Sequence, residues 1–172
     1  RHLIHTHDLR KIAFIKGPEN NSESDLRFEA YREILEESGI PFDPSLVETG
    51  NFRVGSGSKA LEKILKRCSD VEAIVAANDY MALGAFRKAL EQNLMIPRDL
   101  AILGFDDIDE AKYSYVPLTT IRQPVYQQAE AAVELLWDIV VNNKQGQDIV
   151  LPTELIVRRT CGCFSETIIK AR

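Results

Sequence analysis

The 172 residues carry 45% hydrophobic and 27% charged side chains, a balance that supports one packed domain and excludes a disordered or bilayer-embedded chain. No apolar run approaches the roughly 20 residues of a membrane helix. The net charge of −5 and a pI near 5.3 weigh against this segment holding a phosphate backbone itself, since such surfaces are basic.

In chain order, residues 1–8 hold His2, His5 and His7 with no carboxylate partner beyond Asp8. They are read as a terminal stretch and not as a metal site. The chain does not begin with Met, and its first apolar residues are too few for a signal peptide, so it reads as part of a longer protein. Residues 11–15, KIAFI, closed by Gly17-Pro18, predict a strand and a turn. A helix is expected from about Ser22 or Ser24, with Glu23 and Asp25 in its first turn and Leu26, Ala30 and Ile34 at helical spacing, ending at Gly39 and Pro41. A strand at Leu46-Val47-Glu48, a turn at Gly50-Asn51-Phe52 and a helix through Ala60, Leu61, Ile64 and Leu65 follow.

Residues 73–77, AIVAA, are apolar on both faces, as a buried parallel strand requires, and a helix is expected over 81–90. Residues 100–105, LAILGF, repeat the pattern and end on Asp106-Asp107. Four strands alternating with three helices predict an α/β fold with an open, mostly parallel sheet flanked by helices. After Pro117 come a short Thr119-Thr120-Ile121 segment, an amphipathic helix over about 126–142 and a strand over 154–159 in which apolar and polar residues alternate. Cys161-Gly162-Cys163 has no ligand spacing near it and is read as two ordinary thiols. With Cys68 it makes an odd set, which suits a reducing, cytoplasmic setting.

Open α/β sheets bind ligands beyond the carboxyl ends of their strands. The loops there offer Arg27, Phe52, Asn78, Asp79, Asp106 and Asp107. Arginine donates through a rigid fork, aspartate accepts and asparagine does both, so the set can bracket the hydroxyls of a polyol while Phe52 covers a sugar's C–H face. Each has a plainer alternative. Asn78 or Asp79 can cap the next helix, Arg27 can be solvated, and Phe52 can be core. Asp106-Asp107 could be a metal-binding pair of the receiver-domain kind, although the further acid and Lys of that chemistry are not clearly placed. No nucleophile stands beside a base and no Gly-rich phosphate loop is present, so binding is expected and catalysis is not.

Five segments carry a more specific signal. Residues 10–18, Leu26-Arg27-Phe28-Glu29-Ala30-Tyr31, Ala77-Asn78-Asp79-Tyr80-Met81-Ala82-Leu83-Gly84, Gly104-Phe105-Asp106-Asp107 and Pro117-Leu118-Thr119-Thr120-Ile121-Arg122-Gln123 resemble, in order and spacing, signatures of LacI/GalR transcriptional regulators. The resemblance implies a periplasmic-binding-protein-like type I effector domain of two lobes, between which the chain crosses three times. This chain matches mostly the C-terminal lobe, about residues 10–118 and 153–161. Residues 119–152 would return to a second lobe largely missing here.

By motif, Arg27, Asn78 and Asp106 match ligand hydrogen-bonders of the family, Phe52 its stacking aromatic and Gln123 a cleft residue at a crossover. The implied function is sensing of a small-molecule effector, a sugar by preference, by a homodimer or higher oligomer. It needs no cofactor, metal or membrane, and its DNA binding would lie in an N-terminal helix-turn-helix absent from this chain. The run from Arg158 to Lys170 also resembles LacI-like sensors fused to a kinase or cyclase output. A sugar transport binding protein is a further alternative, against which the unpaired thiols and the PLTTIRQ run weigh.

Overall fold

The computed structural model describes residues 1–164 and 166–170. A short helix α1 (His2–His7) opens the chain and buries Leu3 and Ile4. Then follow β1 (Ile12–Lys16), α2 (Ser22–Glu37), a single 3₁₀ turn (Pro44–Leu46), β2 (Val47–Thr49), α3 (Val54–Arg67), β3 (Ala73–Ala76), α4 (Asp79–Glu91) and β4 (Ala101–Leu103). These strands pair in parallel in the order β2-β1-β3-β4. The runs that are apolar on both faces become the central strands, with Ala13, Ile15, Ala73, Ile74 and Ile102 fully buried. The step from β1 to β2 runs opposite to the steps from β2 to β3 and from β3 to β4. With right-handed crossovers this sets α2 on one face of the sheet and α3 and α4 on the other. The reversal lies between β1 and β3, and the crevice beyond their carboxyl ends is the place where such sheets take ligands.

Helices α3 and α4 touch backbone to backbone. A Cβ at Gly57 would fall on the Met81 carbonyl and one at Gly84 on the Val54 carbonyl, while Ser58 Oγ donates to the Gly84 carbonyl at 2.8 Å. Gly84→Ala is therefore expected to cost about 1–3 kcal/mol of stability by overpacking, in spite of the helix propensity that alanine adds. Urea unfolding would read this as a lower midpoint. An unchanged midpoint would mean that the two helices separate freely.

The remaining elements are α5 (Asp109–Lys112), β5 (Thr120–Arg122), α6 (Val125–Val140), β6 (Glu154–Val157) and β7 (Thr167–Lys170). β5, β6 and β7 form an antiparallel sheet in that order. β5 is rooted in the lobe beside β4, since Gly104 N–H donates to the Thr119 carbonyl at 3.0 Å and Asp106 N–H to the Ile121 carbonyl at 2.8 Å. Thr119 and Thr120 are fully buried, so the start of the 119–152 segment packs against the parallel sheet. Helix α6 has no buried residue. Val133, Leu136, Trp137 and Val140 stand 61–70% exposed along it.

Three elements, α1, α5 and β7, go beyond the expected set. The alternation expected over 154–159 also fails at its end, for Ile156, Val157 and Arg158 are all buried. There the chain re-enters the lobe and is covered on both sides. Arg158 N–H donates to Thr119 Oγ1 at 2.9 Å, and Thr160 Oγ1 donates to the Ile102 carbonyl at 2.6 Å. Among the described residues no helix is long and apolar enough to cross a membrane.

Candidate functional site

The carboxyl ends of β1, β3, β4 and β5 converge on one edge. Asp106 follows β4 with a φ of 121°, and its Oδ1 accepts a hydrogen bond from Gln123 Nε2 at 2.7 Å. Both residues line an open cavity of about 660 Å³ with Arg122, Tyr126 and Glu154. Burial raises the Asp106 carboxyl pKa above its ordinary value, while the Gln123 hydrogen bond and the positive charge of Arg27 pull it down. The carboxylate is thus partly stripped of water and faces the cavity, where an added hydroxyl donor is favoured.

Arg27 points from α2 across the switch point. Its guanidinium donates to the Ala77 carbonyl at 2.9 Å and lies over the Phe105 ring at 3.8 Å. With 16% of its side chain exposed it is not a solvated helix arginine. Phe52 sits at a positive φ of 62° with its ring on Gly17, so close that a Cβ at that glycine would enter the ring. The Phe52 carbonyl accepts from Asn78 Nδ2 at 3.1 Å, and Asn78 Oδ1 accepts from Met81 N–H at 3.0 Å. Asn78 is 6% exposed and caps α4, so its amide is committed to backbone at both ends. The fold therefore makes two groups of the five candidates. Asp106 and Gln123 open on the cavity with Arg27 near enough to act by charge. Phe52 and Asn78 bind each other beside it and are not among the residues that line it.

Three further residues matter as much: Asp79 and Asp107, which stand among the loop acids of the sequence, and Arg158, which the sequence does not single out. Asp107 accepts from Arg122 Nε at 2.6 Å and from Arg158 Nη2 at 2.7 Å, and Arg158 also donates to the Leu118 carbonyl at 3.0 Å. Both Asp107 oxygens are held by arginines, which leaves the acidic-pair metal reading without one of its ligands. Asp79 is fully buried. It accepts from Thr120 Oγ1 at 2.6 Å and from Ile108 N–H at 3.0 Å, joining the start of α4 to β5. Arg158 directly follows the apolar run 155–157, where alternation suggested an outward face; no sequence signal marks its partner.

Burial pushes the Asp79 carboxyl up to about 6, against the hydrogen bonds from Thr120 and Ile108. The native state then binds this proton more tightly than the unfolded chain, in which the carboxyl titrates near 3.9. Its stabilising contribution is present below that lower value and is lost as pH rises through about 6. The loss approaches ~3 kcal/mol by neutral pH. Asp79→Asn, which mimics the protonated acid, is expected to flatten the stability profile between about pH 4 and 7, as followed by denaturant melts. A variant as steep as the wild type would remove Asp79 as the source.

The family of periplasmic binding protein-like domains matches residues 1–161. The HTH-type transcriptional regulator MalR of Clostridium butyricum is 38% identical over 135 residues, 78% of this chain and 40% of that protein. The solved complex of the transcriptional regulator CelR with cellobiose superposes with a TM-score of 0.88 at 33% identity, over 91% of this chain and 48% of that one. The lac repressor dimer bound to operator and an anti-inducer superposes at 0.86 with 28% identity, over 93% and 48% of the respective chains. The chain spans less than half the length of these relatives. With the parallel sheet and these matches together, the chain belongs to the periplasmic binding protein-like domain family, as an effector-binding domain of the LacI/GalR type.

Proposed function

We propose that this chain is most of one lobe of a cytoplasmic sugar sensor, whose effector closes a cleft and changes the affinity of a dimer for DNA. The observation that carries the reading is the Asp106–Gln123 pair, hydrogen-bonded at 2.7 Å on the wall of the 660 Å³ cavity. A carboxylate and an amide held side by side present two acceptors and one further donor to neighbouring hydroxyls. Arg27 supplies the compensating positive charge, and Phe52 an apolar surface next to it. Helix α6 belongs, in this reading, to the second lobe, whose sheet would cover the stripe from Val133 to Val140. Operator contact is made by a head outside this chain, consistent with the acidic balance of the lobe.

The CelR complex holds cellobiose, which makes β-linked disaccharides the first effectors to try. Calorimetric titration of the two-lobed protein with cellobiose, common monosaccharides and nucleosides is expected to give one sugar with a micromolar dissociation constant. Heat from a nucleoside alone, or from none of them with a folded protein, would overturn the sugar assignment. A second reading of the output is favoured by β7. The family match ends at residue 161, yet the chain goes on to pair Thr167–Lys170 along β6, one of the two strands that join the lobe to the returning segment. A downstream kinase or cyclase domain attached there would feel any movement of β6.

A further inference from the structure

The fold brings together two groups that look unrelated in the sequence. His2 and His7 lie on α1, and their Nε2 atoms are 3.3 Å apart. Cys163 Sγ, 156 positions beyond His7, is 3.4 Å from His7 Nε2 and 3.6 Å from His2 Nε2. Cys161 completes the set, with all four ligating atoms within 4.8 Å of one another. Zinc bonds of about 2.0–2.1 Å to nitrogen and 2.3 Å to sulfur, at tetrahedral angles, put two nitrogens about 3.3 Å apart and a nitrogen and a sulfur about 3.6 Å apart. The three measured separations agree with these values.

The surroundings fit a ligand set as well. Thr6 Oγ1 lies 3.3 Å from His2 Nδ1, a partner that fixes the ring and leaves Nε2 for a metal. Gly162 has a φ of +107°, which turns the short Cys-Gly-Cys segment so that both thiols face α1. A side chain there would press on the His7 ring. Cys161 is 2% exposed while His2, His7 and Cys163 are half-buried, so the cluster is enclosed yet reachable by an ion. All three cysteines of the chain are free thiols.

We propose that His2, His7, Cys161 and Cys163 form a tetrahedral zinc site. Two thiolates and two imidazoles select zinc over the hard cations, and four protein ligands leave no open position, which marks a structural site. His7 and Cys161 border Glu72 and Ala101 at the amino ends of β3 and β4, the edge opposite the effector cavity. The ion therefore clasps α1 to the segment after β6 and stays out of ligand binding.

Cobalt titration of the reduced wild-type chain tests this. The expected result is uptake of one equivalent with the intense visible bands of tetrahedral cobalt and a thiolate-to-cobalt charge-transfer band. Zinc should displace the cobalt and raise the melting temperature. Cys163→Ser and His7→Asn, at half-buried positions, should each weaken uptake by at least about 100-fold, beyond the 10–100-fold cost of losing an outer partner. Circular dichroism would confirm that both fold. Sub-stoichiometric uptake by the wild type, a weak octahedral cobalt spectrum, or variants that bind as tightly as the wild type would each overturn the proposal.

Discussion

Asp107→Ala lowers the stability of the chain by about 3–5 kcal/mol, the cost of removing one partner from a buried ion pair. The Asp107 and Arg158 side chains are 7% and 4% exposed. Without the carboxylate, the Arg158 guanidinium keeps the Leu118 carbonyl and a long 3.4 Å contact to the largely exposed Glu166. Those do not repay the desolvation of a full charge. Arg122, with 41% of its side chain exposed, turns to water and adds little to the loss. Urea unfolding of wild type and variant measures the difference. A change below about 1 kcal/mol would put the pair with surface ion pairs. Asp107→Leu combined with Arg158→Met should recover most of the loss, because the isolated charge is then gone.

Asp106→Ala in the two-lobed protein raises the effector dissociation constant by roughly 100-fold or more, the equivalent of two charge-assisted hydrogen bonds at about 1.5–3 kcal/mol each. Folding is affected far less, since the carboxylate is held above its ordinary pKa by burial and its removal relieves that cost. The positive φ of Asp106 is better tolerated by asparagine than by alanine. Asp106→Asn thus separates loss of charge from backbone strain and should bind more tightly than Asp106→Ala. Calorimetry against the best sugar reads both variants. An unchanged constant in both would take Asp106 out of the binding site.

The parallel half of the fold was legible because β1, β3 and β4 are continuous apolar runs and its helices are long and periodic, two of them capped by asparagine. The run of motifs pointed to Asp106 and Gln123 as candidates for the proposed site, and the structure joins these two by a hydrogen bond. What escaped the sequence was created by tertiary contact. Helix α1 has six residues, half of them histidine, and owes its place to Leu3 and Ile4 reaching the core. Arg158 looked outward by alternation and is buried because Asp107, 51 positions earlier, meets it. Asn78 carried both of its possible meanings in one residue type. Its capping bond to Met81 is what the backbone demands at that point, whatever else it touches.

Asp106 and Asp107 divide their work across a single peptide bond. Both line the cavity, but Asp106 pairs there with Gln123, whereas Asp107 has its oxygens taken by Arg122, next to Gln123, and by Arg158, at the point where the chain rejoins the parallel sheet. A substitution at the first changes what the cavity wall presents, whereas one at the second loosens β5 and the returning chain, so the two neighbours can be varied with separate readouts.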